Sequence, residues 1–394
     1  MAVDLRSELA FTYFPDDYRW SHGLLIALNA APWGGAEIGE VHRVGMRLRD
    51  RVGDDEEWFR AWSEMASSVA ERGHELLAGG RRRSAASYLL RAANYFHVGE
   101  RFRQPKTATS DAAYRQGVEC FRDAAAFLDR PAIEPVEIPY EGTTLPALLV
   151  HAERRGATPA PGMVYFDGFD ITKEIQYFKG AAELAARGIS CLIVDGPGNG
   201  EAIRFRGLPL HHETERYATA AYEWLAARPE VDEARIGVMG ISLGGYYAPR
   251  AAAFEQRFAC CVAWGAQWDY HARWSERLAQ LDGGDTPSLS VPWQHLLWVL
   301  GVNSREDALD ALAGFRLDGV VQRIRCPFLL LHGEGDEQIP LPDAQRCYDA
   351  VGSAHKTLRV FTRDEGGYHH CQIDNVSIAV AELGDWLDDV LRPG

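Results

Sequence analysis

Arg235-Ile236-Gly237-Val238-Met239-Gly240-Ile241-Ser242-Leu243-Gly244-Gly245 runs from a strand-like stretch into a helix-like one through the turn Gly240-Ile241-Ser242-Leu243-Gly244. A G-x-S-x-G match says little alone, but between a strand and a helix it describes a nucleophile elbow, a sharp turn that lifts a serine above the end of a sheet. The flanking glycines matter because side chains there would collide in so tight a turn. The start of the following helix also favours negative charge developing near the serine. Ser242 is therefore the expected nucleophile, with a helix-capping serine as the alternative.

A serine hydroxyl attacks only if a base takes its proton, and that base needs a third group to set its tautomer. On a sheet with such an elbow, the partners follow in the order acid, then histidine. Downstream, Pro327-Phe328-Leu329-Leu330-Leu331-His332 reads as a buried strand that opens into Gly333-Glu334-Gly335-Asp336-Glu337. Asp336 is the expected acid, with Glu334 and Glu337 in the same loop as alternatives. After a last strand come Tyr368-His369-His370-Cys371 and a final helix. His370, nearer the helix, is preferred as the base, which leaves His369 as a pocket residue or a bystander. The pair His211-His212 precedes a helix and suits cap or surface roles.

The negative oxygen formed on attack requires fixed N–H donors. The amide of Leu243, directly after the serine, is one candidate. The amide of Phe169, in the loop Asp167-Gly168-Phe169-Asp170 after the third strand, is the other. Gly168 permits close approach of backbone to ligand, and Asp170 and Tyr246 are further candidates for substrate contact. The glycine-rich Asp195-Gly196-Pro197-Gly198-Asn199-Gly200-Glu201 lacks the Lys-Ser/Thr of a P-loop and the pattern of a dinucleotide site. It reads as a tight structural turn.

These segments sit in a chain whose texture changes near residue 132. From Asp16 to about Arg130, apolar residues recur at helical spacing, as in Trp58, Trp62, Met65, Val69 and Leu76, with breaks at Pro32–Gly35, Gly79-Gly80 and Gln104-Pro105. Beyond Pro131, short β-rich runs alternate with helical stretches such as Lys173–Arg187, and eight strands are expected. The sequence thus predicts an all-helical domain over 1–132 and an α/β domain over 133–394, with a helical insertion at about 267–325. That insertion holds Trp268, Trp274, Trp293, Trp298 and Phe315, either as its own core or as the lining of a substrate pocket.

The 394 residues carry a formal charge of −15 with 46% hydrophobic and 25% charged residues. Such a surface disfavours nucleic acid and anionic membranes as partners. Arg81-Arg82-Arg83 reads as a solvated turn. The start Met1-Ala2-Val3-Asp4-Leu5-Arg6-Ser7-Glu8 lacks the basic flank and apolar core of a secretory leader, and no apolar run reaches membrane-spanning length. Seven scattered cysteines suit buried thiols in a reducing cytoplasm, and no Cys/His spacing calls for a metal. No cofactor is expected.

Four segments in order, Asp195–Glu201, Gly240–Arg250, His332–Asp336 and Glu365–Gln372, resemble the dihydroxypseudooxynicotine hydrolase branch of the α/β hydrolases. That branch is similar to fungal polyketide-shortening hydrolases and the fermentation-respiration switch proteins. The resemblance implies an α/β-hydrolase fold with an eight-stranded, mostly parallel sheet, a helical N-terminal domain contributing to the lid and, as often in that branch, a homodimer. Its histidine followed by Cys-Gln maps onto His370-Cys371-Gln372. It also implies cleavage of a carbon–carbon bond beside a ketone in an aromatic or polyketide-like small molecule, with ester hydrolysis as the simpler variant. In the nicotine-degrading member an extra pocket glutamate assists, and Asp269 and Glu276 are the candidates for that place here. Two alternatives stand: a cyclase, dehydratase or acyl transferase using the same three residues, and a binding protein on a hydrolase scaffold. A peptidase of the prolyl-oligopeptidase type would share the elbow, but it usually carries a β-propeller where this chain reads helical.

Overall fold

The computed structural model describes residues 11–128, 130–153 and 159–392. Met1–Glu8, where no secretory leader is expected, lie outside them. The chain divides into two compact units. One comprises the described residues through Arg130 together with Ser288–His295; the other comprises Pro131–Pro287 and the chain from Leu296 onward.

The first unit is built on helices α1 (Tyr18–Asn29), α2 (Ile38–Leu48), α3 (Asp55–Ala78), α4 (Arg82–Glu100) and α5 (Ala108–Ala125). Their ends follow local chemistry. Asp54 caps α3 by accepting from the Glu57 amide, and Asp55, Glu56 and Glu57 place negative charge on its first turn. Trp20, Trp58 and Trp62 are fully buried, with the ring centroids of Trp20 and Trp58 5.0 Å apart and those of Trp58 and Trp62 5.7 Å apart. Every residue of α4 from Leu89 to Glu100 is buried, so this helix forms the centre of the unit. Arg81, Arg82 and Arg83 are exposed. The segment Ser288–His295, with Trp293, clusters with these helices rather than with the remainder of the insertion: Gln104 Nε2 lies 3.1 Å from His295 Nδ1.

In the second unit, eight strands form one sheet: β1 (Ile133–Tyr140), β2 (Thr143–Val150), β3 (Ala160–Phe166), β4 (Ser190–Val194), β5 (Val231–Ile241), β6 (Cys261–Trp264), β7 (Phe328–Gly333) and β8 (Lys356–Phe361), in the spatial order β1-β2-β4-β3-β5-β6-β7-β8. Only the β1–β2 and β2–β4 pairs are antiparallel. β3, β4, β6 and β7 are buried along their whole length, as parallel strands with both faces covered must be.

The strand order places the site. From β3 the chain moves outward to β4, then crosses back to pair β5 on the other side of β3, with Phe166 opposite Gly240. Such a reversal opens a crevice at the carboxyl ends of the two strands, where open α/β sheets bind ligands. The residues leaving those ends are Asp167-Gly168-Phe169 and Ser242.

One expected helix is interrupted. Lys173–Arg187 breaks at Lys179 and Gly180, where φ reaches 102° at the glycine. The Lys179 carbonyl, which a continuous helix would use internally, accepts instead from the Tyr165 hydroxyl at 2.7 Å. Among the described residues no helix is long and apolar enough to cross a membrane.

Candidate active site

Ser242 sits between β5 and the helix Gly244–Phe254 with φ at 59°, a left-handed conformation that a side chain-bearing residue adopts only when its surroundings impose it. Two hydrogen bonds impose it. The Ser242 amide donates to the Trp264 carbonyl at the end of β6, and the Ser242 carbonyl accepts from Gly245, each at 2.8 Å. Gly245 is required because a Cβ there would run into the Gly265 carbonyl.

The Ser242 hydroxyl oxygen lies 2.9 Å from His370 Nε2, and His370 Nδ1 lies 2.7 Å from Asp336 Oδ2. The other Asp336 oxygen accepts from the amides of Gln338 and Ile339 at 2.8 and 2.9 Å. Burial would favour the protonated carboxyl, but the charge and hydrogen bond of His370 outweigh it and hold Asp336 below the usual carboxylate range. An ionised Asp336 needs a donor facing it, so the proton of neutral His370 belongs on Nδ1. Nε2 is then the acceptor facing Ser242. Burial works against the imidazolium as well, yet the Asp336 carboxylate prevails and raises the His370 pKa above its ordinary value.

The competing residues face elsewhere. Glu334 is exposed and accepts from the Arg363 amide, and Glu337 is exposed. His369 is half-buried with its ring 4.0 Å from that of Tyr368. His211 pairs with the Tyr140 hydroxyl at 3.2 Å, and the His212 carbonyl accepts from Tyr246.

Gly168 lies directly against the serine: a Cβ on it would sit 3.1 Å from Ser242 Cβ. Leu243, on the serine's other side, occupies the N-cap of the elbow helix and is fully buried. Phe169 continues from Gly168, and its ring centroid lies 6.1 Å from that of Tyr270 and 5.7 Å from that of Trp274, both in the insertion. Phe169 therefore ties the loop to an aromatic cluster of the insertion, with Asp170 half-buried at the loop's end.

The remaining candidates serve local structure. Asp269 caps the helix Tyr270–Asp282 by accepting from the Ala272 amide, and it pairs with Arg316. Glu276 is exposed and pairs with Arg273 at 2.8 Å. Trp268 is half-buried, its carbonyl accepting from the Leu317 amide. Tyr246 is fully buried, with its hydroxyl donating to the His212 and Gly314 carbonyls.

A buried ionic cluster beneath the Gly168 loop escaped the sequence reading. Lys173 Nζ lies 2.9 Å from an Asp195 oxygen and 2.7 Å from oxygens of both Glu174 and Glu201, and all four side chains are buried. Burial opposes the ammonium, but the charges of Asp195, Glu174 and Glu201 dominate and raise its pKa. Asp167, fully buried, is pushed well above the carboxylate range by burial and then by the Asp195 charge. Lys173→Met would strand three carboxylates around one missing cation, so the catalytic unit should lose about 3–5 kcal/mol. A urea melt should show it as a lower midpoint.

A serine elbow at the switch point of an eight-stranded, mostly parallel sheet, with an acid after β7 and a histidine after β8, defines an α/β hydrolase. Residues 176–393 match the model of the prolyl oligopeptidase family, and residues 51–281 match that of the FrsA-like esterases. The chain belongs to the α/β-hydrolase branch that these families represent, and it is an enzyme of that class. The prolyl oligopeptidase match covers the catalytic part alone, and the described residues ahead of it in the first unit are helical. The 2,6-dihydropseudooxynicotine hydrolase of Paenarthrobacter nicotinovorans is 32% identical over 86% of this chain and 85% of its own. Hydrolase acrC of Aspergillus aculeatus is 30% identical over 96% of this chain and 98% of its own. The crystal structure of the 2,6-dihydroxy-pseudo-oxynicotine hydrolase superposes with a TM-score of 0.76 at 27% identity, covering 92% of this chain and 95% of that one.

Proposed function

We propose that this protein is a serine hydrolase that cleaves a carbon–carbon bond beside a ketone, or an ester bond, in a medium-sized, partly aromatic molecule. The observation that carries the reading is the continuous relay from Ser242 Oγ through His370 to Asp336, at 2.9 and 2.7 Å. Ser242 Oγ attacks the substrate carbonyl carbon while His370 Nε2 takes the hydroxyl proton, and Asp336 stabilises the imidazolium that results. The amides of Phe169 and Leu243 hold the oxyanion. Collapse of the tetrahedral adduct expels the leaving group, which takes the proton from His370, and water then releases the acyl group by the same route in reverse.

An ester expels an alkoxide or phenoxide. The carbon–carbon version needs a leaving carbanion that the substrate itself stabilises, such as an electron-rich ring or the enolate of a 1,3-diketone. The rings of Tyr270 and Trp274, packed on Phe169 directly after Gly168, support an aromatic substrate, as does the relative named for hydrolysing 2,6-dihydropseudooxynicotine. A fluorophosphonate should attach to Ser242, located by peptide mass mapping. Screening of aryl ketones, 1,3-diketones and aryl esters should then find products heavier by one water in total. Labelling elsewhere with Ser242 untouched overturns the nucleophile, and products isomeric with the substrate overturn hydrolysis.

A further inference from the structure

Asn199 stands at the N-cap of the helix Gly200–Arg206, with extended backbone angles of −114° and 154°. An asparagine there ordinarily turns its side chain onto the first amides of its own helix. Asn199 makes no such bond. Its Nδ2 reaches across to the loop that follows β3, donating to the Gly168 carbonyl at 2.7 Å and to the Ile171 carbonyl at 3.3 Å. The vacated cap is supplied by Asp195, whose Oδ2 accepts from the Glu201 amide at 2.9 Å, while its Oδ1 accepts from the Lys173 amide at 3.0 Å. Asp195 thus frees Asn199 and pins the far end of the same loop.

The consequence follows from peptide geometry. In a trans peptide the C=O of one residue and the N–H of the next point in opposite directions across one rigid plane. Holding the Gly168 carbonyl therefore sets the direction of the Phe169 N–H, and Gly168 brings that peptide against Ser242. Asn199 is 5% exposed, so water does not compete for these bonds.

We infer that Asn199 is a positioning residue for the oxyanion: it orients the Gly168–Phe169 peptide so that the Phe169 amide meets the negative oxygen formed on Ser242 attack. The Asp195–Glu201 segment is then a clamp on the oxyanion loop. The inference rests on the serine-hydrolase reading above.

A misaimed donor weakens binding of the tetrahedral state while leaving the planar ground state nearly untouched. The test compares Asn199→Leu, which keeps the volume and removes the donor, with Asn199→Ala, each confirmed as folded by circular dichroism. With a 4-nitrophenyl ester as substrate, kcat should fall by about 10²-fold with KM within about twofold. The inhibition constant of an aryl trifluoromethyl ketone, which forms the tetrahedral adduct on serine, should rise by the same factor as kcat falls. Unchanged kcat and unchanged ketone affinity in a folded variant overturn the inference. So does a parallel loss of ester and ketone affinity with kcat intact, the mark of a distorted pocket. Ser242→Ala separates the two readings: if it still turns over, the serine mechanism has failed, and if it is inactive while the Asn199 variants keep full activity, only the clamp has.

Discussion

Ser242→Ala should remove turnover, with kcat lower by about 10⁶-fold, equivalent to about 8 kcal/mol of transition-state stabilisation. The loss is that large because the relay acts as a unit. Without Oγ there is no bond to form, His370 at 2.9 Å has no hydroxyl proton to take, and Asp336 behind it has no imidazolium to stabilise. The elbow itself should persist, since its backbone is held by the Trp264 and Gly245 bonds, and alanine meets the same conformational penalty at φ 59° as serine does. Thermal unfolding should therefore hardly change. Turnover within tenfold of the parent, in a variant with the parent's melt, would falsify the nucleophilic mechanism.

Asp336→Asn should lower kcat by about 10⁴-fold while leaving the histidine in place. An amide can present its Nδ2–H to His370 Nδ1, which moves the imidazole proton to Nε2 and turns a donor toward the serine hydroxyl. The pH profile makes the test sharper. The proposed mechanism requires neutral His370, so kcat/KM should rise with pH along a limb set by the histidine, and the Asp336 charge should place that limb above the ordinary imidazole value near 6.5. Removing the charge leaves burial as the main influence, which disfavours the imidazolium and should move the limb of the residual activity to lower pH. A limb that stays where it was, or moves upward, would show that Asp336 does not govern His370.

The serine turn, and the two loops that carry its candidate partners, are legible because each announces itself locally. A glycine-flanked serine after Ile236-Gly237-Val238-Met239 needs no knowledge of distant chain to be read as an elbow, and Asp336 follows a run of apolar residues that can only be a buried strand. Asp269 and Glu276 show the limit. On paper both are carboxylates in an aromatic insertion, but a helix end takes Asp269 as its cap and Arg273 holds Glu276 at the surface. Trp293 shows it again, since an insertion read as one piece sends Ser288–His295 to cluster with the helical unit. In the sequence Asn199 belongs with its neighbours to a tight turn, and nothing within seven residues indicates that its side chain bonds a loop 31 positions earlier.

From the sequence alone came the order of strands and helices, the strained serine between two of them, and the succession of acid and histidine, since hydrophobic period, turn chemistry and chain order are local properties. Only the tertiary structure separates His370 from His369, and Asp336 from Glu334 and Glu337. Neighbouring side chains on a loop point to different sides, and which side faces Ser242 depends on how the loops after β7 and β8 lie against each other across the sheet. The same holds for Lys173 and Asn199: β4 is carried next to β3 by the sheet order, and that juxtaposition brings the Asp195–Glu201 loop beneath the peptide that faces the serine.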